Sequence, residues 1–491
     1  MCEMMACNRL STSLGKAKFI ALHLTVLTPL TLMGQSRDGI RYKDLEFEPL
    51  LFNQPSSEIH KITGKVNVLF LQDSSLPLVS LFARFRGGTV HFNREEQGVV
   101  TAVPMLLRTG GSEQITPDSI DTLLEQYAIN LSFGRDGKSS FSSLNTLTDY
   151  LDESLEIWSL LLTQPGFSPE MIQVWRNQEL DYLRRSERDP NTIAIRTFNQ
   201  LIFGDHPTGW TLRPEDLDPE DLDPENLRAI HRKIFCRDNL TLGVTGNTTW
   251  SNILPKLNKL AESIPPCEST FKEILPIPVS AGPGIYVVAN GLPQTTIIMG
   301  KHSKVKLDDH TEYFAAQVGN LILGGSGLNS RLSDRIRTES GLSYSASSIW
   351  TAPTQPPGVL AAMTQTKNSS TATVIKLISK VLQEMAEKPP NSKEVRDAID
   401  EISNGFIFNF QSPAQIVSRQ MLYLTQNLPL NWLSIYLKGI QQINAQDIHN
   451  IFSENIALTG LEDMVTVVVG NHDMLESELK KIGTVYKIEP N

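Results

Sequence analysis

The sequence is poor in cysteine, with four among 491 residues: Cys2, Cys7, Cys236 and Cys267. They are too few and too scattered for a disulfide-rich scaffold, and no two of them form a CxxC pair. The spacing leaves open a single bridge between Cys236 and Cys267.

The sequence also lacks a surplus of positive charge. Its formal net charge is -10 at pH 7, and it contains no basic run. Proteins that bind nucleic acid need a basic face or stripe, so the composition argues against a nucleic-acid partner. With 40% hydrophobic and 20% charged residues, the chain is typical of a globular protein with two or more domains.

Long apolar runs are scarce, and the one near the start has a particular setting. Lys16 and Lys18 precede the apolar run from Phe19 to Met33, which is followed by Gly34-Gln35-Ser36. A basic start, a short apolar core and small residues are typical of a secretory signal. Residues 1–36 are therefore predicted to direct export, to the periplasm if the source is a Gram-negative bacterium. The run is too short and too polar for a stable membrane span, although an uncleaved anchor stays open.

The rest of the chain repeats itself once. Features of the first half recur about 214 to 224 residues later, which indicates one duplication and two homologous α+β domains. The matched pairs are residues 66–70 with 285–288, 78–83 with 295–299, 110–112 with 324–326, 189–194 with 412–417, and 240–247 with 464–471.

Two segments of low periodicity interrupt this pattern. Residues 264–283 are rich in proline and are predicted to link an N-terminal domain, 45–263, to a C-terminal domain, 284–491. Residues 214–227 repeat an acidic pentad nearly three times. That repeat could capture calcium, or it could be a solvated loop that leads into a helix containing Leu227.

An amphipathic helix is predicted over residues 328–340. Leu328, Leu332 and Ile336 lie four residues apart among polar residues, as on one face of a helix. Gly341 is expected to end it, since glycine takes the left-handed conformation at little cost.

Arg337 and Tyr344 are the candidate site residues. Arg337 lies in the last turn of this helix, and Tyr344 lies early in residues 342–347, which are predicted to form a short strand. An arginine also suits the dipole at the end of a helix, so the pair alone leaves a purely structural role open.

The segment from about residue 45 to the end resembles the pitrilysin/insulinase family of zinc metallopeptidases, the inverzincins. The likeness is most specific at residues 324–332 and 337–344. It implies a clamshell of two domains, each a mixed β-sheet covered by helices. It also implies that Arg337 and Tyr344 face a zinc ion held by the first domain, where they hold the substrate backbone and stabilise the oxyanion.

The family's H-x-x-E-H motif is missing from the first half. Its three positions fall on Thr101, Pro104 and Met105, so both histidine ligands and the general base are absent. Pro104 is expected to kink the helix that carries it. The third ligand of the family maps near Glu179 or Asp181, and one carboxylate cannot hold zinc by itself.

A metal site elsewhere has little support in the sequence. None of the nine histidines lies three or four residues from another. His302 and His310, with Asp308 and Asp309 nearby, could bind a metal ion or could form a solvated loop entering the next helix.

These features predict a non-catalytic, substrate-positioning subunit of a heterodimeric zinc metalloendopeptidase that degrades peptides. The chain would hold no cofactor, and zinc would belong to a homologous partner subunit. The alternative is a catalytically inactive peptide-binding or scaffold protein of the same fold. An independent zinc peptidase is the third hypothesis.

Overall fold

The structure is a computed structural model that describes residues 56–274, 277, 282–355, 357–456 and 463–488. The predicted secretory signal, residues 1–36, lies outside the described residues. No helix in these ranges is long and apolar enough to cross a membrane.

The first half of the described chain forms one six-stranded sheet covered by helices. Its strands are β1 (Glu58–Lys61), β2 (Asn67–Gln72), β3 (Leu78–Arg86), β4 (Asn130–Arg135), β5 (Ser139–Leu147) and β6 (Leu240–Gly246). Its helices are α1 (Gln97–Thr109), α2 (Pro117–Gln126), α3 (Leu151–Thr163), α4 (Pro169–Ser186), α5 (Pro190–Phe203), α6 (Pro224–Ile234) and α7 (Trp250–Ser263).

The second half forms another six-stranded sheet of the same kind. Its strands are β7 (Gly284–Ala289), β8 (Gln294–Ser303), β9 (Ala346–Trp350), β10 (Gly358–Lys367), β11 (Val465–Gly470) and β12 (Val485–Ile488). Its helices are α8 (Thr311–Asn320), α9 (Arg331–Ser333), α10 (Thr371–Glu387), α11 (Ser392–Phe406), α12 (Pro413–Thr425), α13 (Trp432–Gln442), α14 (Ala445–Asn455) and α15 (His472–Leu479).

The two sheets share the topology of five strands. The first has the order β1-β2-β6-β3-β5-β4, and the second has the order β12-β7-β11-β8-β10-β9. In both, one pair of these five is parallel (β2 with β6, β7 with β11) and the others are antiparallel. The sixth strand differs, because β1 is antiparallel to β2 whereas β12 is parallel to β7. The predicted α+β class with two mixed sheets is confirmed.

The six strand-like segments of the predicted repeat coincide with β2, β3, β7, β8 and the closing pair β6 and β11. The matched segments 189–194 and 412–417 lie at the starts of α5 and α12. Asp189 caps α5 by accepting a hydrogen bond from the Thr192 amide, and Ser412 caps α12 in the same way through the Gln415 amide.

Helices α5 and α12 each pack on the sheet of the other half. From α5, Ile193 and Phe198 pack with Val467 of β11 in one apolar cluster. From α12, Val417 and Met421 pack with Leu69 of β2. This exchange joins both sheets in one compact unit, consistent with the predicted clamshell. The limits 45–263, 264–283 and 284–491 stay predictions.

The acidic repeat is an ordered loop, and the solvated-loop interpretation is the one that the structure bears out. Each repeat buries one leucine, Leu217, Leu222 or Leu227, in the core of the first half, while most of the acidic side chains face solvent. The last repeat leads into α6, which Asp223 caps.

The bridge between Cys236 and Cys267 is present, and it joins residues 31 apart. Two neighbouring hydrogen bonds hold the same segment, from the Arg237 amide to the Pro265 carbonyl and from the Cys267 amide to Asp238. The beginning of the predicted linker is therefore fastened to the first half.

Candidate functional site

The segment that carries Arg337 is helical over a shorter range than predicted. A short turn covers Gly327–Asn329, α9 begins at Arg331, and Asp334–Glu339 continues it with wider π-helical turns. The helix starts late because the buried Ser330 caps it, accepting a hydrogen bond from the Ser333 amide. Gly341 ends it with φ of +61°, as predicted.

Two of the three arginines in this segment are held by carboxylates. Arg331 forms two hydrogen bonds with Glu394, of 2.7 and 2.9 Å. Arg335 contacts Glu384 at 3.2 Å and Glu339 at 3.3 Å. Burial opposes ionisation of Glu394, but hydrogen bonds from Arg331 and from the Asn391 backbone outweigh it and lower the pKa of that carboxyl. These pairs fix the helix against α10 and α11.

Arg337, by contrast, is exposed and has no ion pair or side-chain hydrogen bond with any described residue. Tyr344 is 93% exposed. Seven residues separate the two along the chain, and Gly341 turns the backbone between them. Both side chains are therefore free to meet a ligand or another chain.

Tyr344 does not lie on a strand, which corrects the prediction for residues 342–347. Strand β9 begins only at Ala346, which faces Thr364 of β10. The residues before it bond to side chains of β10 instead of its backbone. Local propensity could not show this, because the competing hydroxyl groups lie about 20 residues further along the chain.

The residues at the three motif positions do not fit a zinc ion. Thr101 and Pro104 are buried in α1, whereas Met105 is 43% exposed. Threonine and thioether side chains are poor zinc ligands. The described residues contain no group of three histidine, cysteine, aspartate or glutamate side chains placed to hold a metal ion. Helix α1 continues through Pro104 without a break, and the kink expected there stays a prediction.

The two candidate third ligands have different surroundings. Asp181 is exposed and pairs with Arg184 at 3.0 Å. Glu179 is partly buried, and this burial raises the pKa of its carboxyl despite the opposing charge of Arg135. Within the described ranges, neither carboxylate belongs to a group of three histidine, cysteine, aspartate or glutamate side chains that could hold a metal ion.

The second candidate metal group, His302 and His310 with two nearby aspartates, does not form a metal site; each histidine makes an ordinary contact within the protein. His302 bonds through Nε2 to the Ile202 carbonyl at 2.8 Å, on the face of β8 that α5 covers. His310 lies 3.4 Å from Asp308 in the loop before α8. The interpretation as a loop entering the next helix is the one that the structure supports.

A cavity of about 740 Å³ lies elsewhere, between α5, the loop after it and the edge of the second sheet. Neither Arg337 nor Tyr344 lines it. Its lining includes the charged residues Glu187, Arg196, Asp205, Arg213 and Glu215. The mixed signs of these charges favour no single class of ligand.

Comparison with known proteins agrees with this geometry. Residues 221–402 match the family described as "Peptidase M16 inactive domain". That stretch contains Arg337 and Tyr344 and begins after Thr101, Pro104 and Met105.

Two proteins are similar to this chain in sequence, and one solved structure is similar to it in fold. The chain is 24% identical to the "Non-peptidase homolog YmxG" of Helicobacter pylori over 408 residues, covering 83% of this chain and 92% of that protein. It is 24% identical to an uncharacterized zinc protease of Mycobacterium leprae over 256 residues, covering 50% of this chain and 55% of that protein. The crystal structure of a peptidase M16 inactive domain from Pseudomonas fluorescens superposes with a TM-score of 0.74 at 22% identity, covering 84% of this chain and 98% of that one.

The fold, the matched region and the missing metal ligands agree with one another, and they confirm the resemblance seen in the sequence. Residues 221–402 of this chain match the inactive domain of the M16 family, and the chain has the fold of a solved M16 inactive domain.

Proposed function

We propose that this protein is the non-catalytic, substrate-positioning subunit of a heterodimeric zinc metalloendopeptidase that degrades peptides. One observation carries the proposal: Arg337 and Tyr344 are exposed, and their side chains have no ion pair or hydrogen bond with a described residue. The neighbouring Arg331 and Arg335, in contrast, are held by carboxylates. The zinc ion would belong to a homologous partner subunit, since the motif positions of this chain do not fit it.

The two side chains offer the hydrogen-bond donors that a peptide backbone requires. The Arg337 guanidinium carries five N–H donors and a fixed positive charge, and the Tyr344 hydroxyl carries one donor. Donors placed where negative charge develops on a carbonyl oxygen stabilise the transition state of peptide hydrolysis. A charged donor binds such an oxygen more strongly than a neutral one does.

The disulfide supports the proposed export of the chain. Disulfides persist in oxidising compartments such as the periplasm and are rare in the cytosol. The Cys236–Cys267 bridge therefore agrees with the secretory signal proposed for residues 1–36.

The alternative, a peptide-binding or scaffold protein of the same fold, is favoured by the name of the Helicobacter pylori relative, a non-peptidase homolog. Such a protein also needs no zinc. It differs from the leading proposal in one respect: its binding of peptides would not depend on donors that act only in the transition state.

The test is to mix the purified chain with a zinc-bearing homologous subunit and to measure hydrolysis of a library of short fluorogenic peptides. Arg337→Ala and Tyr344→Phe should each lower kcat by about 100-fold or more, the size of effect seen when one oxyanion donor is removed. Arg396→Ala and Tyr486→Phe, which change exposed residues of α11 and β12, serve as matched controls.

Hydrolysis that needs both chains and is lost in the two site variants would support the proposal. Unchanged hydrolysis in both site variants would contradict it. Peptide binding that persists in those variants, with no hydrolysis in any mixture, would favour the scaffold.

A further inference from the structure

Strand β10 is paired over a greater length on one side than on the other. It pairs with β8 along its whole length, from Gly358 to Lys367, but with β9 only from Leu360 to Thr364. On the β9 side, the backbone beyond Thr364 therefore has no neighbouring strand among the described residues. The loop that carries Tyr344 runs past this open stretch.

Two buried threonines of β10 fasten that loop. The Thr364 hydroxyl donates to the Ser345 carbonyl at 2.7 Å and lies 3.0 Å from the Ser343 hydroxyl. The Thr366 hydroxyl donates to the Leu342 carbonyl at 2.7 Å. These bonds flank Tyr344 on both sides, so the backbone is held while the phenol ring stays in solvent.

The same loop is tied to the helix that carries Arg337. The Gly341 amide donates to the Arg337 carbonyl at 3.0 Å, and the Leu342 amide donates to the Ile336 carbonyl at 2.9 Å. Leu342 therefore bonds to the Arg337 helix through its amide and to Thr366 through its carbonyl. One short path of hydrogen bonds connects both site residues to β10.

The residue between the two threonines points to the opposite face of the sheet. Gln365 donates to the Asn191 side chain of α5 at 2.8 Å. Because side chains alternate along a strand, Thr364 and Thr366 share the face that holds the loop, while Gln365 contacts the first half. Alternate residues of β10 therefore make different contacts: Thr364 and Thr366 hold the loop, and Gln365 contacts α5.

We propose that Thr364 and Thr366 are positioning residues, whose hydroxyls hold the Leu342–Ser345 loop so that Tyr344 and Arg337 keep a fixed relative placement. The inference rests on the proposed function of that pair. Sequence alone gives no signal for it, since threonine is common in strands.

Thr364→Val and Thr366→Val test the proposal, since each removes a hydroxyl and keeps nearly the same side-chain volume. Thr466→Val is the matched control. Thr466 is buried in the same sheet, on β11, and its hydroxyl has no hydrogen-bond partner in the described part of the chain.

The first measurement is amide hydrogen exchange in the isolated full chain. We expect exchange across residues 342–345 to become about tenfold faster in each threonine variant, the change expected when a partly buried hydrogen bond is lost. Exchange in the rest of β10 should stay as in the wild type, and Thr466→Val should change neither region. Unchanged exchange in both threonine variants would overturn the inference, whatever the protein does.

The second measurement is hydrolysis in the mixture with the zinc-bearing subunit. A misplaced donor weakens transition-state binding, so kcat should fall about tenfold while KM stays nearly constant. If Arg337→Ala lowers kcat but the threonine variants do not, the positioning role is wrong. If Arg337→Ala also has no effect, the proposed function fails, and the exchange data alone decide whether the threonines hold the loop.

Discussion

Two histidines, the buried His231 and the partly buried His91, contribute to the response of this protein to pH. His231 is buried, stacks on Phe235 and bonds through Nε2 to the Leu162 carbonyl at 3.1 Å. Burial lowers the pKa of His231 to about 4. Burial, together with the nearby charges of Arg86 and Lys138, also lowers the pKa of His91 to about 4. Both rings stay neutral in the folded protein well below the pH at which an unfolded histidine gains its proton.

The free energy of unfolding should therefore fall as the pH is lowered from about 6.5 to about 4. In that window the unfolded chain binds protons at these histidines and the folded chain does not, so acid favours unfolding. The contribution of one such residue has a limiting slope of about 1.4 kcal/mol per pH unit. Urea denaturation at a series of pH values measures it.

His231→Gln is the variant to compare, since its amide can still donate to the Leu162 carbonyl. Carboxylates titrate in both proteins, and their effect cancels in the difference. The variant should lose less stability than the wild type as the pH falls from 6.5 to 4. Parallel curves for the two proteins would show that His231 is not responsible.

At the scale of elements, the crossing of α12 over the first sheet depends on one glycine. Gly243 lies in β6, and a Cβ atom there would come within 2.4 Å of the Met421 sulfur and 2.7 Å of Val417. Any side chain on that face would push the helix away. The close approach explains why a buried strand carries a glycine here.

Gly243→Ala should lower the free energy of unfolding by about 1–3 kcal/mol, because it overpacks this crossing. Gly405→Ala is the control, since the space around Gly405 of α11 is open and alanine favours a helix by up to about 1 kcal/mol. Chemical denaturation measures both changes.

A double-mutant cycle with Met421→Ala tests the contact itself. Met421→Ala alone should cost about 2–5 kcal/mol, and it should cost less in the Gly243→Ala background because the clash is removed. Additive losses would mean that Met421 is not what the new methyl group meets.

At the scale of the whole molecule, the disulfide fastens the start of the predicted linker. The bridge closes a separation of 31 residues, and Phe271 further along packs against His91 and Phe92 of the first half. The described part of this segment is therefore attached to the first half by the disulfide and by the contacts of Phe271.

Replacing both cysteines, as Cys236→Ala with Cys267→Ala, should lower the free energy of unfolding by about 3–4 kcal/mol, the amount expected for a loop of this length. A reducing agent should lower the Tm of the wild type and leave that of the double variant unchanged. Equal sensitivity of the two proteins would show that the bridge does not form in solution.

Much of the fold follows from local patterns in the chain. The strands around residues 66–83 and 285–299 could be predicted because runs of apolar residues at matched separations mark buried strands on either side of one duplication. The starts of α5 and α12 also carry a local signal that the sequence analysis did not use, because Asp189 and Ser412 precede proline at the first position of a helix. What failed was local detail: the start of α9, and the strand expected at Tyr344.

By itself, the sequence determined the repeat, the loss of the zinc ligands at Thr101, Pro104 and Met105, and the identity of Arg337 and Tyr344 as candidates. Those features depend on residue type and spacing along the chain. Only the tertiary structure decided that Arg331 and Arg335 are paired while Arg337 has no ion pair among the described residues. It also decided that Tyr344 lies in a loop and that α5 and α12 each pack on the sheet of the other half. Each of these depends on contacts between residues far apart in the chain, such as Thr366 with Leu342, and such contacts leave no periodicity for a sequence to show.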